Sequence, residues 1–168
     1  MKNTSIKITP LSKADYDSWL NLWQRYLAFY ETSLPLSTTE STWRNLLDNN
    51  APIYGFGAWQ DDTLLGITHV VLHPNTWNMT ECCYLEDLYV SEAVRGQGVG
   101  RALIEQVYDF ANKKNCNRVY WTTQEGNTTA RKLYDVIVKT YNGYQIFYDS
   151  NLPQKTATKK RQALNTWR

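Results

Sequence analysis

The sequence predicts a mixed α+β sheet in a single domain, antiparallel in its early strands and joined by crossover helices in its late ones. Three observations lead there. Two runs rich in strand formers, Ile53–Gln60 and Thr63–Leu72, flank Asp61-Asp62 as the arms of a hairpin do. The second half alternates strand-like with helix-like stretches, as parallel strands with helical crossovers require. Glycines at 96, 98 and 100 stand where a strand hands over to a helix. A length of 168 residues suits one domain. A domain of that size buries roughly 68–70% of its unfolded surface, enough for a core without disulfides or metal.

The elements follow in order. Ser5–Thr9 puts Ile6 and Ile8 on one face, as in a short strand. Ser12 and Asp15 resemble a capping box with Asp in place of Glu. Behind it Trp19, Trp23, Tyr26, Leu27 and Tyr30 recur at helical spacing to about Glu31. Ser33–Thr39, with Pro35, reads as a loop, and Ser41–Leu47 as a short second helix ended by Asn49-Asn50-Ala51-Pro52. After the hairpin, His73-Pro74-Asn75 opens a loop and Cys82–Val90 forms the next strand. Val99, Leu103, Val107 and Phe110 mark an amphipathic helix ending near Lys114. Arg118–Thr123 is a strand, Asn127 caps a helix containing Ala130, Leu133 and Tyr134, and Tyr144–Tyr148 is the last strand.

Composition removes several classes. Hydrophobic residues at 42% and charged residues at 20% exclude global disorder. No stretch approaches the 18 apolar residues of a membrane span, and Met1–Pro10 lacks the apolar core of a secretory signal. Cys82, Cys83 and Cys116 form no CxxC or His-rich spacing, so no metal site is expected; unlinked thiols suit a reducing, cytoplasmic compartment. The formal charge of +2 is too balanced for a nucleic-acid binder. It is also uneven. The stretch 151–168 holds five bases and no acid, which leaves 13 bases against 16 acids over residues 1–150, a formal −3. The expected organisation is therefore one domain over 1–150 and a basic C-terminal tail over 151–168. Seven Trp and twelve Tyr are many for this length, which points to aromatic surface available to a ligand.

The most informative segment runs from Leu88 to Arg101 (LYVSEAVRGQGVGR). A strand ends and glycines lead directly into a helix, whose first amides lack intrahelical acceptors and lie at the positive end of the dipole. Such a turn receives an anionic phosphate, and Arg95 and Arg101 add full charges. No Lys-Ser/Thr follows the last glycine, which excludes a nucleoside-triphosphate loop, and GxGxG is not the dinucleotide pattern GxGxxG.

Arg95-x-x-Gly98-x-Gly100 resembles the Q/R-x-x-G-x-G/A signature of the GCN5-related N-acetyltransferases, the GNAT superfamily. The strand Tyr84–Val90 (YLEDLYV) and the helix from Arg101 (RALIEQV) are similar to that family's motif A, and Trp121–Asn127 followed by Ala130–Tyr134 to its motif B. The WLNLWQRYLAFYE stretch from Trp19 resembles the narrower histone-and-polyamine group. The resemblance implies a GNAT fold with splayed central strands, acetyl-CoA as donor, a primary amine as acceptor and a homodimer or higher homo-oligomer. It places the coenzyme's pyrophosphate on the amides of Arg95, Gly96, Gln97, Gly98, Val99, Gly100 and Arg101. Its pantetheine arm runs along the backbone of Leu88, Tyr89 and Val90, with the Leu88 amide polarising the thioester carbonyl. Asn127 binds pantetheine or caps its helix, with Ala130 beside it. Arg131 or Lys132 reaches the 3′-phosphate. Tyr134 matches the acid that protonates the departing thiolate.

An alkyl ammonium has a pKa near ~10, so the acceptor must lose a proton before it attacks, and a base helps. Glu86 is the first candidate, on the strand beside the thioester. Asp87 faces the other way on an ideal strand, unless a bulge turns it, and is the second. The acceptor site is expected in the N-terminal half, from Trp23, Tyr26, Tyr30, Glu31 and Asp87, although an aromatic stripe at helical spacing also builds a core. A small polyamine or diamine is the leading acceptor. Basic protein tails, aminoglycosides and a non-catalytic CoA-binding role stay open.

Overall fold

A computed structural model describes residues 5–124, 126–140 and 146–149. The elements are β1 (Lys7–Pro10), α1 (Tyr16–Phe29), α2 (Leu36–Leu47), β2 (Ile53–Gln60), β3 (Thr63–His73), β4 (Cys82–Val90), α3 (Val99–Lys113), β5 (Arg118–Gln124), α4 (Thr128–Thr140) and β6 (Ile146–Asp149). The six strands form one sheet in chain order. β1 to β4 pair antiparallel; β4–β5 and β5–β6 pair parallel. The mixed sheet, the hairpin at Asp61-Asp62 and the late crossovers agree with the sequence. The basic tail at 151–168 and Tyr144 lie outside the described residues.

Helices cover both faces. α3 and α4 bury Leu103, Ile104, Val107, Tyr134 and Ile137 against Phe56, Val70, Leu85 and Trp121. α1 and α2 bury Trp19, Leu22, Trp23, Tyr26 and Leu46 against Ile67 and Tyr89. The Ser12–Asp15 cap is present: the Ser12 N–H donates to Asp15 Oδ2 at 2.7 Å. The second helix departs from the expectation. It begins at Leu36, not Ser41, because Pro35 is its N-cap, with its carbonyl accepting from the N–H groups of Thr38 (3.0 Å) and Thr39 (3.2 Å). Proline carries a fixed φ that suits a helix start, so the loop signal was a helix-start signal.

Two irregularities in β4 shape the site. β3 and β4 shift register between His69 and Val70: His69 opposes Asp87, whereas Val70 opposes Leu85. Glu86 is the extra residue of a β-bulge. Further along, β4 pairs with β5 only from Cys82–Arg118 to Leu85–Trp121, although both strands continue, to Val90 and Gln124. The two strands therefore part after Leu85 and Trp121.

Candidate active site

The gap between β4 and β5 exposes main-chain groups of known direction. The Ser91 N–H donates to the Leu65 carbonyl (2.8 Å) and the Thr68 hydroxyl to the Asp87 carbonyl (2.8 Å), so residues 87, 89 and 91 turn their peptide groups toward β3. Successive residues alternate, so Leu88 and Val90 turn theirs toward the gap. The Val90 carbonyl agrees with this, since it accepts from Arg95 Nε at 3.2 Å. At the mouth, Gly96 and Gly98 adopt φ of 79° and 86°, the left-handed region that glycine enters without strain. A Cβ built on either meets nothing within 4 Å, so a ligand can approach those amides. Gly98 is the N-cap of α3. Gly100 lets α4 come close: a Cβ there would stand 3.2 Å from Leu133 and 3.6 Å from Val90.

One group in the core between the sheet and α3–α4 lacks a partner among the described residues. Trp121 is 1% exposed at the point where β4 and β5 part, and its Nε1–H has no hydrogen-bond acceptor among the described residues. A buried donor left unmade costs about 1–3 kcal/mol. The Tyr134 ring packs 5.1 Å from the Trp121 ring, inside the first core. Open main-chain groups, glycines with empty space beside them and an orphaned indole N–H together fit an extended ligand with amide carbonyls and an anionic end. Asn127 caps α4, its Oδ1 accepting from the Ala130 N–H at 3.4 Å. Arg101 pairs with Glu105 at 2.8 Å, one turn along α3. Arg95 lies 3.8 Å from Glu92, with its guanidinium over the rings of Phe29 (5.6 Å) and Tyr89 (5.7 Å). Its side chain thus bridges the glycine turn to the α1 side of the sheet. A separate cavity of about 690 Å³, lined by His73, Trp77, Arg118 and Tyr120, lies where β4 and β5 begin, at the opposite end of those strands.

The bulge settles where the two acidic residues stand. From Leu85, an ideal strand would send Asp87 to the α3 face. With one residue extra, Asp87 instead meets α1, and its Oδ1 accepts from the Tyr26 hydroxyl at 2.5 Å. Burial, reinforced by the charge of Asp87, holds the Tyr26 phenol well above its usual pKa, with Tyr30 and Glu86 adding to the effect, so Tyr26 stays a protonated donor. Asp87 Oδ2 lies 3.1 Å from His69 Nδ1, and His69 Nε2 lies 2.9 Å from Trp19 Nε1. Asp87 and His69 are 8% and 2% exposed. Glu86 is half-buried.

The aromatic stripe divides. Trp19 and Trp23 stack at 5.7 Å inside the second core, and the Trp23 N–H donates to Thr39 (3.3 Å). Trp23, at 5% exposure, and Tyr26, at 3%, both lie in the core beneath α1. Tyr26 meets Asp87 directly; Tyr30 is half-buried and Glu31 exposed at the end of α1. His69, Trp19 in its polar role, and Trp121 escaped the sequence reading. Only the pattern of β3 hinted at His69, by placing an imidazole within a mostly apolar strand.

Known proteins resemble this chain in sequence and in fold. The profile described as Acetyltransferase (GNAT) family matches residues 16–136. A D-amino-acid N-acetyltransferase of Saccharomyces cerevisiae is 32% identical over 153 residues, 90% of this chain and 94% of its own. A thialysine N-epsilon-acetyltransferase of Caenorhabditis elegans is 23% identical over 82% of this chain and 83% of its own. Among solved structures, an aminoglycoside N-acetyltransferase in complex with CoA superposes with a TM-score of 0.71 over 90% of this chain and 98% of its own, at 19% identity, a likeness of fold. The chain belongs to the acetyltransferase (GNAT) family, and it transfers an acetyl group from acetyl-CoA to an amine nitrogen.

Proposed function

We propose that the acceptor is a small cationic primary amine, a polyamine or diamine, with lysine-like amino acids in the same chemical class because they too carry a side-chain ammonium. The observation that supports this reading is the bulge at Glu86, which turns Asp87 to the α1 side of β4, where Tyr26 also feels the charge of Glu86. Two neighbouring carboxylates attract an ammonium and can accept its proton. The formal −3 over residues 1–150 favours the same ligands. Among the relatives' names, thialysine acetyltransferase lies in that range, while D-amino-acid N-acetyltransferase names amino acids without specifying a side-chain ammonium.

Each residue then has a role. Asp87 receives the ammonium. Glu86 takes its proton, directly or through a water, and the freed lone pair attacks the thioester carbonyl. The Leu88 N–H, facing the gap, donates to the carbonyl oxygen as charge builds there; one such donor is worth ~10²–10³ in rate. Tyr134 gives a proton to the departing thiolate. The amides from Gly96 to Arg101 hold the pyrophosphate. Three unpaired cysteines suit a reducing compartment such as the cytoplasm.

Transfer is direct, with no acyl-cysteine. Burial pushes the Cys83 thiol far above its usual pKa and, to a lesser degree, that of Cys116, so neither supplies a thiolate near neutral pH. Cys82 is buried. Initial velocities at varied acetyl-CoA and amine should give intersecting rather than parallel lines, and a thiol-alkylating reagent at pH 7 should leave the rate within about twofold.

The acceptor class is tested by kcat/KM for spermidine, diaminopropane, thialysine and a lysine-rich peptide. The small amines should lead. A peptide preferred by tenfold or more would overturn the small-amine reading in favour of protein lysine acetylation.

A further inference from the structure

In the chain joining Trp19, His69, Asp87 and Tyr26, the indole fixes the tautomer of the imidazole. An indole N–H donates and never accepts, so His69 Nε2 at 2.9 Å must be the acceptor and carries no proton. The ring's proton is then on Nδ1, 3.1 Å from Asp87 Oδ2, and is donated to it. Asp87 accepts a second hydrogen bond from Tyr26 on its other oxygen. Donors on both oxygens favour the ionised carboxylate. The imidazole cannot take a second proton in place, because an N–H at Nε2 would face the Trp19 N–H head-on. A contact that looks like a His–Asp ion pair is thus a neutral imidazole holding an anion.

We propose that His69 is a positioning residue for acetyl transfer: kept neutral and in one tautomer by Trp19, it fixes the Asp87 carboxylate, ionised and oriented, where the acceptor ammonium arrives. This rests on the acceptor role given to Asp87 above. A neutral donor is the useful choice there. An imidazolium would cancel the charge that draws in the amine, whereas a neutral N–H orients the carboxylate and leaves it its full charge. The network is also well buried. Trp19 is 0% exposed and its ring lies 4.7 Å from Trp43, 5.7 Å from Trp23 and 6.1 Å from His69, which closes the far side of the imidazole. Among the described residues, Tyr26 meets Asp87 directly, and Tyr30 from α1 and Glu86 and Tyr89 from β4 stand around Tyr26. The β2 residue opposite His69 is Gly55, which carries no titratable group.

Three measurements test the proposal. First, the chain has only two histidines, so ¹⁵N-histidine NMR of the whole protein resolves both, with His73→Gln assigning the second. His69 should show the neutral Nδ1–H form at pH 7. An Nε2–H tautomer there overturns the proposal whether or not the protein acetylates any amine tried. Second, His69→Leu should lower kcat/KM for the amine at least tenfold while KM for acetyl-CoA stays within twofold. His69→Asn, whose amide can still donate to Asp87, should stay within about threefold of wild type. Equal loss in both variants, tracking their melting temperatures, would mean a purely structural residue and overturn the proposal. Third, Trp19→Phe removes the blocking N–H and keeps an aromatic ring. Its kcat/KM for the amine should gain a further ionisation near the ordinary imidazole pKa of ~6.5, falling at lower pH; an unchanged pH profile in the folded variant counts against the locked tautomer. If no amine is a substrate, the acceptor reading fails by itself while the NMR result still decides the network.

Discussion

Replacing Glu86 by Gln should lower kcat about a hundredfold, the lower end of the 10²–10⁴ that positioned acid–base groups contribute. The acceptor arrives as an ammonium with a pKa near ~10, so at pH 7 about one molecule in a thousand is already neutral. Glu86 removes that deficit by taking the proton at the site. The wild-type rate should therefore fall on the acid side as the carboxylate is protonated, and Glu86→Gln should lose this limb and regain rate as the pH approaches that of the free amine. KM for acetyl-CoA should change little, because the proposed coenzyme site consists of main-chain groups of β4 and the glycine turn. Asp87→Asn serves as the contrast. With Glu86 as base, it should mainly raise KM for the amine and keep the acid limb. If the limb vanishes in Asp87→Asn and persists in Glu86→Gln, Asp87 is the base.

Tyr134→Phe should slow transfer at least about tenfold while CoA still binds with near wild-type affinity. The substitution removes one hydroxyl from a ring that is 7% exposed and packed on Trp121, and leaves the packing in place. The loss then belongs to the proton given to the departing thiolate. Less acidic leaving groups should suffer more, so a set of acyl donors of rising thiol pKa should widen the gap between wild type and variant. Unchanged kcat would remove Tyr134 as the acid and leave it a core aromatic.

The glycine turn was legible in the sequence because its residues are contiguous. Glycines at 96 and 98 do have positive φ, and the strand and helix they join are both present. The hairpin and the order of elements were legible for the same reason, as local patterns with local turn signals. The splay was expected only through family resemblance; the structure shows it as pairing that stops at Leu85 and Trp121. The bulge at Glu86 carries no glycine or proline to announce it, so the face of Asp87 stayed open until the register was known. The network around Asp87 was hidden for a deeper reason. Trp19 and His69 are 50 residues apart and Tyr26 and Asp87 are 61 apart, and only the packing of α1 on β3 and β4 brings them together. The same packing made the Trp stripe ambiguous, since the helix face that supplies a buried core also supplies the polar atoms that line a site.

The most direct test of the account is CoA released from acetyl-CoA, measured with and without each of a panel of primary amines and confirmed by the mass of the N-acetyl product. The account predicts amine-dependent release, one CoA per N-acetyl amine, with at least one small cationic amine and with a rate that depends on Glu86. Tight CoA binding with no amine-dependent release from any member of the panel, peptides included, would contradict it and leave a CoA-binding protein without turnover.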